Sequence, residues 1–251
     1  MKNSLFGIAV AYRRRAMMEK SKRFGGPWTE QKLDTFIAYV KAYLTIMNKQ
    51  KQRWKTIYFD GFAGAGERIQ KGSIGELKFE FVYSKTALED LGVFRGSIKR
   101  ILELPQPYWF DWYYFVDIDP EATESIKKLV EETKPGFADR IQIRQSDCNE
   151  QLIEMANKAL KSGEYAALVF LDPFGMQVKW ESIAALKNTR SDVWLLLPSG
   201  VAINRLLPRK GAIQNPQKLE TFFGLSIDAI RDIFYTRRTE PSLFGAEIIQ
   251  Q

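Results

Sequence analysis

The stretch Thr56-Ile57-Tyr58-Phe59-Asp60-Gly61-Phe62-Ala63-Gly64-Ala65-Gly66 joins a short apolar run to a glycine-rich turn. Residues 56–60 carry the β-branched and aromatic side chains that are typical of a buried strand. The glycines that follow let the chain turn sharply where the strand ends. A strand that runs directly into such a turn is typical of α/β folds, in which ligands bind beyond the carboxyl ends of parallel strands.

Further strands are predicted along the chain, with helical segments between them. The predicted strands are Trp112–Asp117, Arg140–Gln145, Ala167–Asp172 and Asp192–Pro198, and the helices between them are Glu121–Thr133, Glu150–Leu160 and Glu181–Lys187. Strands that alternate with amphipathic helices favour a parallel sheet with helices on both faces. The expected fold class is therefore α/β, a Rossmann-like, doubly wound and mainly parallel sheet.

This domain is expected to occupy residues 28–251, after a basic N-terminal arm at residues 1–27. Thr29 can cap a first helix, in which apolar side chains recur along one face at Leu33, Phe36, Ile37, Val40, Leu44 and Met47. Residues 67–111 separate the first two strands by more than one crossover helix needs, so this interval is predicted to contain an insertion. Asn215-Pro216 is predicted to start another helix, and no further pair of strands is obvious after it.

The glycine-rich turn is the first candidate for a binding site. Gly64 and Gly66 allow a ligand to approach backbone that a Cβ would obstruct, and Asp60, Phe62 and Ala63 belong to the same turn. Many glycine-rich turns are merely tight turns. The position of this one after the first strand favours cofactor binding.

Asp117 ends the second predicted strand and is followed by Ile118, Asp119 and Pro120. A carboxylate at this place can accept hydrogen bonds from both ribose hydroxyls of an adenosine-containing cofactor. Asp117 is assigned that role, and Ile118 is assigned to the same cofactor site. Asp119 is suited to cap the next helix, with Pro120 at the first helical position.

Asp147 and Cys148 follow the third predicted strand and are also assigned to the cofactor site. Asp147 can accept a hydrogen bond from the adenine amino group or cap the helix that follows, and the sequence does not decide between these two roles. Cys148 is expected to be a small neighbour of the pocket. It has no histidine that could activate it as a nucleophile.

Asp172, Pro173 and Phe174 follow the fourth predicted strand and are the candidate catalytic residues. Methylation of an amino nitrogen requires acceptors that hold its hydrogens and aim its lone pair at the methyl donor. The Asp172 carboxylate and the Pro173 carbonyl can be these acceptors, and Phe174 can stack on a base or face a sulfonium. The alternative interpretation is a strand-end turn with a packed aromatic side chain.

Several classes of protein are excluded by composition and by the form of the turn. With no histidine and a single cysteine, the usual zinc and non-haem iron sites, histidine-dependent hydrolase mechanisms and an internal disulfide are excluded, so no metal is expected. The pattern D-x-F-x-G-x-G differs from the G-x-G-x-x-G of nicotinamide dehydrogenases, and no Lys-Ser/Thr pair makes the turn a P-loop. Four ordered strand-end motifs instead predict a site for S-adenosylmethionine (SAM) and a methyltransferase.

The net charge favours an anionic partner. The chain has 37 lysines and arginines against 30 acidic residues, a formal charge of +7, which is compatible with binding to DNA or RNA. Two basic clusters are predicted to hold phosphates: Arg13, Arg14 and Arg15, and Arg205, Arg209 and Lys210. No apolar run approaches the ~20 residues that span a bilayer, and the N-terminus lacks a secretory apolar segment, so no membrane association and a cytoplasmic location are expected.

Five segments together resemble one known family. They are Trp28-Thr29-Glu30-Gln31-Lys32-Leu33, Tyr43-Leu44-Thr45-Ile46-Met47, Tyr58-Phe59-Asp60-Gly61-Phe62-Ala63-Gly64, Leu171-Asp172-Pro173-Phe174-Gly175-Met176 and Pro198-Ser199-Gly200-Val201-Ala202-Ile203-Asn204-Arg205. Over roughly residues 28–245 the chain resembles the three-Cys-motif partner proteins, a bacterial group related to class I SAM-dependent methyltransferases. The resemblance implies a Rossmann-like methyltransferase and a partner protein that bears a three-cysteine motif.

The resemblance does not name the methyl acceptor. The acid-Pro-Pro-aromatic pattern of amino-methyltransferases corresponds here to Asp172-Pro173-Phe174-Gly175, with the aromatic residue one place early. Family members look longer at the C-terminus, which implies that the last sheet strands are absent here and that a partner or a further segment covers the exposed edge.

Three functions remain open from the sequence. The first is a methyltransferase that acts on an amino group of a nucleic-acid base, and the second is a cofactor-binding or non-catalytic subunit of a three-cysteine-motif protein. The third is a protein or small-molecule methyltransferase that uses the aromatic-rich interval 67–111 as a substrate lid.

Overall fold

A computed structural model describes residues 27–64, 97–173, 175–197, 203, 206–208, 213–237 and 248–250. Its main sheet contains β1 (Lys55–Asp60), β2 (Trp112–Asp117), β3 (Ile141–Gln145), β4 (Tyr165–Leu171) and β5 (Arg190–Leu195). The helices are α1 (Pro27–Asn48), α2 (97–102), α3 (Pro120–Thr133), α4 (Cys148–Lys158), α5 (Trp180–Ala184), α6 (Pro216–Phe223) and α7 (Ile227–Phe234). Short 3-10 turns occupy Pro135–Arg140 and Leu160–Ser162.

The strands lie in the order β3-β2-β1-β4-β5, and every neighbouring pair is parallel. The sheet therefore begins at its centre with β1 and extends through β2 to β3 on one side. On the other side β4 pairs with β1, and β5 pairs with β4. This arrangement is the doubly wound, Rossmann-like α/β fold, so the predicted fold class is confirmed. In such a sheet the reversal of direction beside β1 opens a crevice at the carboxyl ends of the strands.

Each face of the sheet has its own apolar core. Successive side chains of a strand point to opposite faces. In β1, Tyr58 therefore packs with α1, α2 and α3, whereas Ile57 and Phe59 pack with α4, α5, α6 and α7. The apolar stripe predicted for α1 is confirmed. Leu33, Phe36, Val40 and Leu44 are buried, and Ile37 and Met47 pack against the same core.

The start of α1 differs from the prediction. The helix already includes Pro27, so Thr29 lies inside its first turn and the prediction that Thr29 caps the helix is wrong. Proline at a first helical position loses no hydrogen bond, because the first N–H groups of a helix have no partner within the helix. The expected boundary places Pro27 at the end of the basic arm, whereas the structure places it at the start of α1.

The end of the interval 67–111 belongs to the core. Helix α2 contributes Ile98, Ile101 and Leu102, all fully buried, so this part of the interval packs into the core ahead of β2. The predicted insertion itself stays a prediction. The aromatic residues Tyr108, Trp109 and Phe110 precede β2 and lie at the amino-terminal edge of the sheet, where Asp111 N donates to Thr56 O at 3.1 Å. The lid hypothesis is therefore wrong for this part of the interval, because the predicted site is at the opposite edge. Residues 67–96 lie outside the described residues.

The C-terminal part of the chain contains a strand pair that the sequence analysis did not identify. The strands β6 (Tyr235–Arg237) and β7 (Ile248–Gln250) pair antiparallel and form a sheet of their own. Three-residue strands are too short to give a recognisable alternation, which explains why the sequence showed no pair here. The helix predicted after Asn215 is confirmed as α6, with the Asn215 side chain accepting from Lys218 N. Within the described ranges, no helix has the length and apolar character needed to cross a membrane.

Candidate functional site

The turn after β1 is hydrogen-bonded to both neighbouring strands. Gly61 N donates to Phe170 O of β4 at 3.1 Å, and Ala63 N donates to Val116 O of β2 at 3.0 Å. Gly64 N donates to Asp117 Oδ2 at 3.1 Å. The turn therefore lies across the centre of the sheet at the point where the chain reverses direction.

Two glycines allow this turn to pack closely. A Cβ on Gly61 would collide with Cys148 Sγ and would come within 2.7 Å of Leu171 Cδ2, and a Cβ on Gly64 would lie 2.5 Å from Ala122 Cβ in α3. Contacts this short are not tolerated, so any side chain at either position moves the turn or its neighbours. The approach of a ligand to Gly64 stays a prediction. The structure adds helix α3 as the neighbour that requires glycine.

Asp117 connects the ends of the first three strands through hydrogen bonds. Its carboxylate accepts from Gly64 N through Oδ2 and from Asp119 N through Oδ1 at 2.8 Å, and its carbonyl accepts from Ser146 N at 3.0 Å. The side chain of Ile118 beside it is 59% exposed. A buried carboxylate thus lies next to an accessible apolar surface.

Asp119 has the structural role predicted for it. Its side chain accepts from Glu121 N at 3.1 Å and caps α3, with Pro120 at the first helical position. The capping prediction is confirmed.

Asp60 is a buried carboxylate on the central strand. It accepts from Phe62 N at 3.2 Å through Oδ1 and from the Tyr58 hydroxyl at 3.3 Å through Oδ2. Burial raises the pKa of Asp60 to about 7, the hydrogen bonds from Phe62 and Tyr58 oppose that rise, and the nearby Asp117 charge adds to it. A cation placed between Asp60 and Asp117 would favour the ionised form of both carboxyl groups.

Asp147 caps α4. Its Oδ1 accepts from Asn149 N at 2.9 Å and from Glu150 N at 3.2 Å. Of the two roles that the sequence allowed, adenine binding and helix capping, the structure shows capping. Both bonds use the same oxygen, which leaves the capping role compatible with a ligand contact at Oδ2.

Cys148 is buried between the β1 turn and α4. Burial first, then the charges of Asp147 and Asp60, raise the pKa of its thiol far above the ordinary value. A buried thiol of this kind is a poor nucleophile, in agreement with the packing role expected for it.

The loop after β4 starts with Asp172, which is partly buried, and Pro173, which is buried. Phe174 lies outside the described residues. Leu196 N donates to Leu171 O at 2.8 Å, so the loop leaves the sheet between β4 and β5. The candidate catalytic residues therefore begin at the same edge as the β1 turn.

Asn149 is a functional candidate that the sequence analysis missed. Its buried side chain donates to Gln177 O at 3.1 Å, and its Oδ1 accepts from Lys179 N at 2.7 Å and from Ser182 Oγ at 3.0 Å. These bonds tie the first turn of α4 to the loop after β4 and to α5. An asparagine just inside a helix gives no sequence signal for partners about 30 residues away.

The structure thus brings the described members of all four predicted strand-end motifs to one edge of the sheet. Gly66, Arg13, Arg14, Arg15, Arg205, Arg209 and Lys210 lie outside the described residues, so their predicted roles stay predictions. Among the residues that are described, no group of three or more carboxylate or cysteine side chains is arranged to hold a metal ion.

The strand order and the carboxyl edge of the sheet define a Rossmann-like α/β protein. Comparisons with known proteins do not narrow this class further. No family model and no curated protein matches the chain. One matching solved structure is the "Putative methyltransferase yhhF from Escherichia coli", at 15% sequence identity and a TM-score of 0.32. The match covers 65% of this chain and 62% of that one, less than two thirds of either. At this TM-score the likeness is too weak to indicate an activity, and membership of the three-Cys-motif partner family stays a prediction from the sequence.

Proposed function

We propose that this chain is a SAM-dependent methyltransferase that acts on an amino group of a nucleic-acid base. The observation that carries the proposal is the hydrogen bond from Gly64 N to Asp117 Oδ2, at 3.1 Å. It joins the glycine-rich turn to the acidic end of the next strand, the two features that in Rossmann-like sheets hold the ribose and the group attached to it.

The residues around this bond fit an adenosyl group. Each carboxylate oxygen can accept more than one hydrogen bond, so ribose hydroxyls can bond the Asp117 carboxylate beside the N–H groups of Gly64 and Asp119. The exposed apolar side chain of Ile118 offers a surface for the flat face of an adenine ring. The buried carboxyl of Asp60 provides negative charge near the place where a cationic cofactor would extend along the turn.

The cofactor, when bound, supplies an electrophilic methyl group on a sulfonium. The chain's own residues then have to hold the acceptor. On this proposal the Asp172 carboxylate and the Pro173 carbonyl accept the hydrogens of the acceptor amino group and orient its lone pair. Phe174 covers the acceptor by stacking. The network around Asn149 supports this arrangement, because it fixes the far end of the same loop to α4 and α5.

The choice of a nucleic-acid acceptor rests on charge. The surplus of seven positive charges favours a polyanionic substrate over a neutral small molecule. The two arginine-rich clusters, Arg13–Arg15 and Arg205–Lys210, are proposed to contact phosphates. A protein partner with a three-cysteine motif is compatible with the same proposal, as a subunit that selects the substrate.

Methyl transfer from radiolabelled SAM tests the proposal. The wild-type chain is incubated with DNA and RNA of mixed sequence, with and without a three-cysteine-motif partner, and label in the nucleic acid is measured. Asp172→Ala is expected to lower the rate of methyl transfer at least about 100-fold, because it removes an acceptor that orients the amino group. Its affinity for S-adenosylhomocysteine (SAH) should be unchanged. Asp139→Ala, an exposed carboxylate on the 3-10 turn before β3, is the control. SAH binding without transfer to any acceptor would instead identify a cofactor-binding subunit, and full activity of Asp172→Ala would refute the assignment of that residue.

A further inference from the structure

A basic surface lies at the amino-terminal edge of the sheet, opposite the candidate cofactor site. It is built by three separate segments: the loop between α1 and β1, the turn before β4 and the turn before β5. Their exposed cations are Lys49, Lys51, Arg53, Lys55, Lys161, Lys187 and Arg190. We call this group the amino-edge basic surface.

Direct contacts hold the three segments together. Lys55 N donates to Glu164 O at 2.9 Å, and Arg190 Nη1 donates to Gly163 O at 2.9 Å. The Arg190 guanidinium also lies 4.6 Å from the centroid of the Trp54 ring. Because β1, β4 and β5 are adjacent strands about 4.8 Å apart, the cations at their amino ends share one surface.

The positive charge of this surface is poorly compensated. Among the described residues, the ion pairs are made by other cations, and none of the seven cations belongs to one. Lys161 bonds the neutral side chain of Asn157. Three acids belong to the same strands or turns. Glu164 is exposed in the turn before β4, the Asp111 carboxylate accepts from Thr56 N and Oγ1, and Asp192 accepts from the Tyr39 hydroxyl. Like charges held this close raise the local potential and attract polyanions.

The composition of the surface favours a nucleic acid over a lipid membrane. A membrane-binding surface combines cations with a face of exposed apolar side chains. Among the described residues near this edge, Ile46 is the large apolar side chain that is mostly exposed, and Trp54 is half-buried beside Arg190. Lysines and arginines grouped without such an apolar face are instead the arrangement that tracks a phosphodiester backbone.

We propose that the amino-edge basic surface binds the phosphodiester backbone of a nucleic acid. This inference goes beyond the proposed function, because the surface is separate from the residues assigned to methyl transfer. The five residue steps from Lys55 to Asp60 span about 17 Å at ~3.3 Å per residue. Nucleotides held at this edge therefore flank the base that would react and do not include it.

Charge reversal at the surface tests the proposal. The double variant Lys51→Glu/Arg53→Glu is compared with Lys127→Glu/Lys128→Glu, which makes the same change of net charge on α3. Binding of the full chain to a fluorescein-labelled single-stranded DNA of mixed sequence, and to the matching duplex, is measured by anisotropy over a range of salt concentrations. Thermal unfolding and SAH titration of each variant check the fold and the cofactor site separately.

The expected result is binding that is roughly tenfold weaker for Lys51→Glu/Arg53→Glu than for the α3 variant at physiological salt. The slope of log K against log salt should fall by about 0.7 for each phosphate of the single strand that the variant no longer neutralises. Equal weakening in both variants would overturn the proposal, since net charge alone would then explain it. Binding to vesicles that contain phosphatidylserine, with no binding to either DNA, would overturn it in favour of a membrane. Neither result depends on methyl transfer, so failure here is distinguishable from failure of the proposed function.

Discussion

Asp60 carries a carboxyl group whose burial opposes its ionisation. It is 1% exposed and lies near a second carboxylate, and among the described residues its donors are a tyrosine hydroxyl and a backbone N–H. Taking a carboxylate out of water favours its neutral form. Its protonation state therefore changes near neutral pH, within the range in which a protein works.

The first prediction concerns stability against pH. Because the pKa of Asp60 is raised to about 7 in the folded protein, from an ordinary 3.8, the folded state binds this proton more tightly than the unfolded chain does. The stability that it contributes is present in acid and is lost as pH rises to about 7. Asp60→Asn cannot ionise. Its free energy of unfolding relative to wild type should therefore rise by up to about 3 kcal/mol between about pH 5 and pH 8.

Urea denaturation at several pH values measures this difference. Asp139→Asn, which changes an exposed aspartate, should follow the wild-type profile. Parallel profiles of wild type and Asp60→Asn would show that Asp60 does not titrate in this range.

A second prediction concerns the close approach of Gly64 to α3. In Gly64→Ala the new Cβ would lie 2.5 Å from Ala122 Cβ, so the turn must move and the bond to Asp117 lengthens. Loss of a hydrogen bond to a charged group should weaken SAH binding by at least about tenfold, measured by calorimetry. Ala122→Gly in the same chain should restore part of the affinity.

Gly136→Ala is the matched control for that prediction, since its Cβ would meet nothing within 4 Å. Unchanged SAH affinity in Gly64→Ala would mean that the turn does not contact the cofactor.

At the scale of the elements, the loop after β4 depends on a helix that follows another strand. Asn149 in the first turn of α4 holds Gln177, Lys179 and Ser182, which lie in this loop and at the start of α5. A buried amide that satisfies two backbone groups and a hydroxyl limits the positions that the loop can adopt. The candidate catalytic residues lie at the start of the loop that this network fixes.

A third prediction follows for Asn149→Ala. The substitution leaves Lys179 N and Gln177 O without their partner and should lower the free energy of unfolding by about 2–3 kcal/mol in urea denaturation. Asn157→Ala, an exposed asparagine on the same helix, should cost less than about 0.5 kcal/mol. Equal effects of the two substitutions would show that the Asn149 network does not stabilise the loop.

The sequence predicted the elements more accurately than their contacts. β2 was bounded correctly at both ends, because the apolar run that starts at Trp112 stops at Asp117. The capping of α3 was predictable from Asp119 and Pro120 alone, since a cap is a local interaction. The Asn149 network and the packing of Gly61 on Cys148 were not, because each depends on which strands become neighbours. Helix α2 was missed for the same reason, as its apolar residues are identified as core only by what they pack against.

At the scale of the whole molecule, the two edges of the sheet have different chemical character. The carboxyl edge gathers Asp60, Asp117, Asp147 and Asp172, whereas the amino edge carries the amino-edge basic surface. A parallel sheet keeps these edges apart, because all strands start at one and end at the other. On our proposals a cationic cofactor binds at the acidic edge and a polyanion binds at the basic one.

A fourth prediction uses Cys148 as a reporter of the fold as a whole, since it is the chain's single cysteine. It is buried in the core, and the pKa of its thiol is raised by burial. Its reaction with a thiol reagent at pH about 8 should therefore be at least about 100-fold slower in the folded protein than in urea. On the proposed function, SAH should slow the reaction further by stabilising the turn that covers it.

Lys128→Cys in a Cys148→Ala chain, with its thiol on the exposed face of α3, should react at the same rate with and without urea. Rapid labelling of native Cys148 would show that the packing of the β1 turn on α4 opens readily.

If the carboxyl edge binds the adenosyl group of SAM, a crystal structure of the chain with SAH will show the cofactor there. We expect ribose hydroxyl oxygens about 2.7–3.0 Å from the Asp117 carboxylate, the adenine against Ile118 and the amino-acid part along the turn from Asp60 to Gly64. SAH bound at another place, or an empty carboxyl edge in crystals grown at saturating SAH, would contradict it.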